Sequence, residues 1–220
     1  MITSVKITSI KTGGLQPLGT EGIMSGIHKA PVKQAWLGIN GLEGDLQADR
    51  LHHGGAEKAL HHYPASHYAY WQQIFGKLPD FGNSAAFGEN LTTDALTEQD
   101  VCVGDIWQLD QAIVEVSQAR QPCWKLNLRF TKQNMARLVQ DSRRTGWYYR
   151  VLDPGTIAAG DSIELLERPN PWLSLAHYWD EVMAHRPDPR SLRRIAAATG
   201  LAADKVQRWA ERADWLETHA

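Results

Sequence analysis

Cys123 lies in the run Gln118-Ala119-Arg120-Gln121-Pro122-Cys123-Trp124-Lys125-Leu126, directly after residues that read as a strand. Pro122 has no N–H for a central ladder, so the thiol is expected where strand gives way to loop. Arg120 and Lys125 flank it, and neighbouring cations favour the thiolate, which is both nucleophile and metal ligand. A buried structural cysteine is the plain alternative. That alternative suits Cys102, in the apolar Val101-Cys102-Val103. A second constellation is Gly41-Leu42-Glu43-Gly44-Asp45 followed by His52-His53-Gly54-Gly55-Ala56-Glu57-Lys58. Paired glycines let backbone approach an anion and aim N–H groups at it, and His53 and Lys58 would add charge to the same phosphate. A surface turn is the other reading. A third segment, Phe87-Gly88-Glu89-Asn90-Leu91, puts a carboxylate and an amide beside a glycine, as common turns also do. Five of the nine histidines fall between His52 and His67. They invite a zinc reading, but Cys-x-x-Cys and His-Glu-x-x-His spacings are missing, and His61 and His62 would face opposite ways on a strand.

Alternating β-branched and aromatic runs must position these groups. Ser4 to Ile10, Lys58 to Tyr63, Ile106 to Leu109, Ala112 to Ser117, Trp147 to Leu152 and Ser162 to Leu166 all read as strands. Gly-Asp at 104–105 and again at 160–161 fits tight turns entering strands. Helices are expected at Ala65 to Phe75 and Lys132 to Gln140. The fold class is therefore mixed α/β, mainly β and barrel-like, over residues 1–168. Arg168-Pro169-Asn170-Pro171 marks a linker to a small all-α, three-helix unit over 169–220. Its helices run over Ser174 to Ala184, from Asp188-Pro189 to Thr199 with Gly200 as C-cap, and over Ala203 to Ala213.

The chain has 220 residues, 43% hydrophobic and 22% charged, with net charge −2. This composition suits a packed core and excludes a disordered chain. The charge balance supplies no bulk field toward DNA or an anionic membrane. No apolar run reaches the roughly 18 residues of a membrane span. Residues 1–7 alternate like a strand and not like a secretory leader, so a cytoplasmic location is expected. Two cysteines cannot build a disulfide framework. The nine tryptophans read mainly as packing anchors.

In order, Gly41-Leu42-Glu43-Gly44-Asp45, His53-Gly54-Gly55 with Lys58, Phe87-Gly88-Glu89-Asn90-Leu91, Arg120-Gln121-Pro122-Cys123 and Gly146-Trp147-Tyr148-Tyr149-Arg150-Val151 resemble the MOSC-domain family, in its YiiM-like branch. The resemblance covers nearly the whole chain, including a three-helix C-terminal part. It implies a β-barrel-like domain that binds the molybdenum cofactor, with Cys123 as the metal ligand. A soft thiolate suits a metal already held by two dithiolene sulfurs. It further implies a reductase of N-hydroxylated compounds such as hydroxylaminopurines, which detoxifies base analogues. The family's cationic positions map onto Lys58 and Arg120, with His53 beside them. Gly54, Gly55, Asn90 and Arg150 complete the set expected to face cofactor and substrate. Glu89, His53 or a water would protonate the departing amine. Trp124 or Trp147 would stack on a purine. Two cysteines cannot hold a Cys₄ iron–sulfur cluster, so a separate reductase must supply electrons.

Two other functions fit parts of the chain. Cys123 as a persulfide would make a sulfur carrier, recognisable by one extra sulfur that a thiol reductant removes. Arg193 to Trp209 resembles a helix-turn-helix. However, residues 169–220 hold seven Lys and Arg against seven Asp and Glu, whereas phosphate binding wants a basic stripe. Packing on the barrel, covering the site or forming a homodimer are the better roles for these helices.

Overall fold

The structure, a computed structural model, describes residues 2–49, 54–76 and 85–219. In chain order the elements begin with strands β1 (Ser4–Lys6), β2 (Ser9–Thr12), β3 (Gln16–Leu18), β4 (Ile23–Ser25), β5 (Ala30–Val32), β6 (Gln34–Gly38), β7 (Gly41–Leu42) and β8 (Leu60–His62). Then come α1 (Ser66–Phe75), β9 (Leu91–Thr92), β10 (Ile106–Leu109), β11 (Ala112–Ala119), α2 (Lys125–Arg129) and α3 (Met135–Asp141). The chain continues with β12 (Trp147–Asp153), β13 (Gly155–Ala158), β14 (Ser162–Glu167), α4 (Leu175–Val182), α5 (Pro189–Ala196) and α6 (Ala203–Thr218). The main sheet has nine strands in the order β1-β14-β10-β11-β12-β8-β9-β2-β5. All pairs are antiparallel except β8 with β9, joined through His62 and Leu91.

The single strand expected over Ser4 to Ile10 is two. At Ile7 and Thr8 the chain changes partners. Ile7 N donates to Asp161 O and Thr8 N to Thr92 O. The passage from β1 to β2 thus links opposite parts of the sheet and curls it, which makes the fold mainly β and barrel-like as expected. Helix α3 begins at Met135, three residues later than its sequence pattern suggests, and α2 follows Cys123 where no helix is expected.

Ser174 caps α4 by accepting from His177 N, and Asp188 caps α5 by accepting from Arg190 N at 3.0 Å. Because α5 stops at Ala196, Gly200 is not its cap. Its φ of +83° and a close approach explain it instead, since a Cβ there would lie 2.5 Å from Glu115 Oε1. The C-terminal helices do not pack apart from the sheet. Leu175, Tyr178, Leu192, Ile195 and Ala213 join Val101, Trp107, Val114 and Trp147 in one continuous buried cluster. Cys102 is buried at this junction, bridged to Ser174, and burial beside Asp105 pushes its thiol up to about 11. A second cluster, including Tyr63, Trp71, Phe87, Leu126 and Met135, seats α1 to α3 against the rim.

Candidate active site around Cys123

Strand β11 ends where Arg120 N donates to Gly146 O, the last bond toward β12. Gln121 and Pro122 then leave the ladder, and Leu126 N donates to Cys123 O to open α2. Cys123 is thereby held, half-buried, on a wall shared by two clefts.

The first cleft is open to solvent and spans about 630 Å³, part of it outside the protein surface. Lys29, Lys58, His61, Arg120, Lys125 and Cys123 line it, with Asp45 and Asp49 as its carboxylates. Arg120 is 5% exposed; its Nη2 donates to Phe87 O at 3.2 Å, while Nη1 has no partner. His61 on β8 is also buried, with Nε2 unpartnered. Burial, then the charges of Arg120 and Lys29, keep its imidazole well below the usual histidine range and therefore neutral. Its neighbour His62 faces the other way, as expected of a strand, with ring nitrogens 3.1 Å from the Tyr149 hydroxyl and 3.0 Å from that of Thr93. Lys29 Nζ donates to Asp45 Oδ2 at 2.6 Å, yet burial still lowers its pKa. The same carboxylate accepts from Asn90 Nδ2, Gln47 Nε2 and Gly13 N, which makes Asp45 the clamp of this wall.

The second cleft opens between the barrel and α6. Asp49, Lys58, Cys123 and Tyr148 are common to both, and Gln118, Gln121, Trp124, Asp204 and Lys205 belong to the second. Burial and then the charge of Lys205 lower the Lys58 pKa.

The structure thus brings Cys123, Lys58, Arg120 and Asn90 together. Asn90 lines the first cleft, but its side chain is spent on structure, since Oδ1 accepts from His61 N and Nδ2 donates to Lys11 O and Asp45. Gly54 and Gly55 precede the short 3₁₀ turn Ala56–Lys58 that carries Lys58, and do not themselves line a cleft; Gly55 enters that turn at φ +84°. His52 and His53 lie outside the described residues.

Two sequence expectations, and one alternative of a third, are not met. Glu89 is wholly buried away from both clefts, accepting from Lys11 Nζ at 3.2 Å, from Phe87 N and from the Tyr68 hydroxyl. Arg150 is a strut, paired with Glu57 at 2.5 Å and Glu115 at 2.6 Å on the outer side of β11 and β12. Trp147 is core, packed on His62, whereas Trp124 is 53% exposed on the second cleft. Lys29, Gln118 and Lys205 were not singled out from sequence as site residues; no local motif marks them, and only the folded chain assembles them. Among the described residues no group of three or more His, Cys, Asp or Glu is placed to hold a metal, and no helix is long and apolar enough to cross a membrane.

The family model of the MOSC domain matches residues 49–164, a span that includes Lys58, Arg120 and Cys123. The chain belongs to the MOSC family. Protein YiiM of Escherichia coli is 43% identical over 160 residues, covering 72% of this chain and 71% of that protein. The uncharacterized protein YflK of Bacillus subtilis is 45% identical over 165 residues, covering 74% and 73%. A protein named reductase from Gibberella moniliformis is 39% identical over 172 residues, which cover 78% of this chain but 30% of that longer protein. The crystal structure of YiiM from Geobacillus stearothermophilus superposes with a TM-score of 0.79 at 32% identity, covering 94% of this chain and 98% of that one. The likeness therefore extends beyond the MOSC span. Lys29 on one side and Lys205 on the other lie outside that span, so this MOSC site is completed by segments flanking the domain match.

Proposed function

We propose that this MOSC protein is a molybdenum cofactor-dependent reductase of N-hydroxylated compounds of the hydroxylaminopurine type. The carrying observation is the unpartnered Arg120 guanidinium nitrogen, buried in the same cleft as Cys123. A buried donor without an acceptor is costly, and an anionic ligand group would satisfy it. The donor set fits the cofactor. Cys123 offers a soft sulfur to a metal with soft sulfur ligands, and Arg120, Lys58 and Lys125 offer charge to a phosphate. When bound, the cofactor would supply a two-electron reduction that cleaves an N–O bond. The chain's own residues would hold it and provide the proton that the departing nitrogen needs. Glu89 is shut away from the cleft. Lys29 and Lys58, whose ammonium groups burial makes more acidic, take the place assigned to it from sequence. The relatedness to YiiM and to a protein named reductase supports the reading. The 220 residues hold two cysteines, too few for a Cys₄ cluster, so electrons would reach the site from a donor outside these residues.

The test is metal content followed by turnover. Protein from a host that makes the cofactor, purified without chelator, is expected to hold near-stoichiometric molybdenum and to reduce 6-hydroxylaminopurine with a chemical electron donor. The Cys123→Ser variant should lose both. Absence of molybdenum from the wild type, in a host shown to load other molybdoenzymes, would overturn the proposal.

A further inference from the structure

The two clefts that meet at Cys123 differ in chemistry. The first has four cationic side chains against two carboxylates, with its histidine neutral, so it attracts anions. In the second, Lys58 and Lys205 are balanced by Asp49 and Asp204, and Lys205 Nζ donates to Asp204 at 2.7 Å. What remains is two amides, an indole and a phenol, a surface suited to a neutral, flat ring that carries both donors and acceptors. Gln118 is 2% exposed and lines this cleft, and its Nε2 has no partner. Trp124, 53% exposed, offers an indole face on the same cleft. The wall opposite is fixed in place: Ala202 N donates to Ser117 O at 2.9 Å, seating the start of α6 beside Gln118, and Arg208 reaches Gln121.

We propose that the second cleft is the substrate pocket, in which Gln118 reads the hydrogen-bonding edge of a neutral heteroaromatic ring and Trp124 stacks on its face. This rests on the reductase reading and adds where the ring sits, which residues select it, and why the C-terminal helix is needed: α6 closes the pocket. The ring's N-hydroxyl group would point toward Cys123, on the wall that both clefts share.

Adenine, which has the ring but no N–O bond to reduce, is the binding probe. Calorimetry on the whole protein is expected to show adenine binding that weakens at least ~10-fold in Trp124→Ala and in Gln118→Leu, by the usual worth of a base–aromatic stack or a specific hydrogen bond. Trp124→Phe should recover most of the loss. Trp215→Ala, an exposed indole on the same helix as Lys205 but away from the cleft, should leave binding unchanged. In the molybdenum-loaded enzyme the same substitutions should raise KM for 6-hydroxylaminopurine much more than they lower kcat. Equal adenine binding in wild type and Trp124→Ala, or none in the wild type, would overturn the pocket assignment. Adenine binding with this variant pattern, but no reduction of any N-hydroxylated compound, would sustain the pocket and overturn the reductase reading. Reduction with unchanged constants in both variants would do the reverse.

Discussion

Arg120 shows how far function and stability can part at a single residue. Its guanidinium is buried with one nitrogen unpartnered. Desolvating a charge without full compensation costs more than a bond to Phe87 O returns. Arg120→Met should therefore leave the cofactor-free protein as stable or slightly more stable in urea unfolding, while bound molybdenum falls sharply. A variant that unfolds early and keeps its metal would show Arg120 to be structural. Glu89 should behave in the opposite way. Its removal strands Lys11, which is 2% exposed, without its carboxylate. Glu89→Ala should cost about 3 kcal/mol in denaturant unfolding. A large fall in kcat at unchanged stability would restore the catalytic-acid role suggested by its sequence. Both residues carried equal signal in the sequence, each polar and beside a turn. Only burial and partners separate a group that waits for a ligand from one that is already satisfied.

At the scale of the element, β8 shows what alternation alone can convey. Side chains on a strand alternate, so His61 and His62 must part, one to the cleft and one to the core, and the sequence carries that much. It does not carry the energetic consequence. Burial, and then the Lys11 charge, hold His62 down at about 3, and His61 is held well below its usual value. The unfolded chain binds these protons near the ordinary histidine value of 6.5 and the folded chain does not. Stability is accordingly complete above that value and is lost as pH falls toward 3, by about 1.4 kcal/mol per pH unit for each histidine. Urea midpoints for wild type and His62→Gln between pH 6 and about 4 should diverge by roughly that slope, the variant being the less acid-sensitive. Parallel profiles would show that His62 titrates in the fold. The long strands β10, β11, β12 and β14 were legible because they alternate over four or more residues. The two- and three-residue strands β3, β4, β5, β7 and β9 were not, for such pieces are strands only through their partners, and β6 and β13, which pair with each other outside the main sheet, were missed as well.

For the whole molecule, the question is whether the C-terminal helices are an appendage. The shift in texture after Arg168 is real, since helix replaces strand there, and a proline pair sits between. Yet Arg168 itself is tied to Asp105 at 2.6 Å, and a Cβ on Gly104, at φ +77°, would lie 2.3 Å from Thr199 O. Within the stretch that resembles a helix-turn-helix, three arginines have partners in the chain itself. Arg193 pairs with Asp214 and Glu217, Arg194 lies over Trp172, and Arg208 over Trp209. Trp209 is buried in the cluster shared with the barrel, and its Nε1 donates to the Tyr178 hydroxyl at 2.9 Å. If the helices are part of one core, loosening them must loosen the sheet. Trp209→Ala, which removes a large buried ring and strands a hydroxyl, should cost about 3–5 kcal/mol. The loss should appear as one displaced transition, superimposable by far-ultraviolet dichroism, which follows the helices, and by protection of the β11 and β12 amides from hydrogen exchange, which follows the barrel. Two separated transitions, with the strand amides still protected, would instead show a helical unit that folds by itself. In that case α6 would close the second cleft as a detachable cover, and deleting residues 169–220 should leave a folded barrel that still retains molybdenum but has lost its grip on adenine.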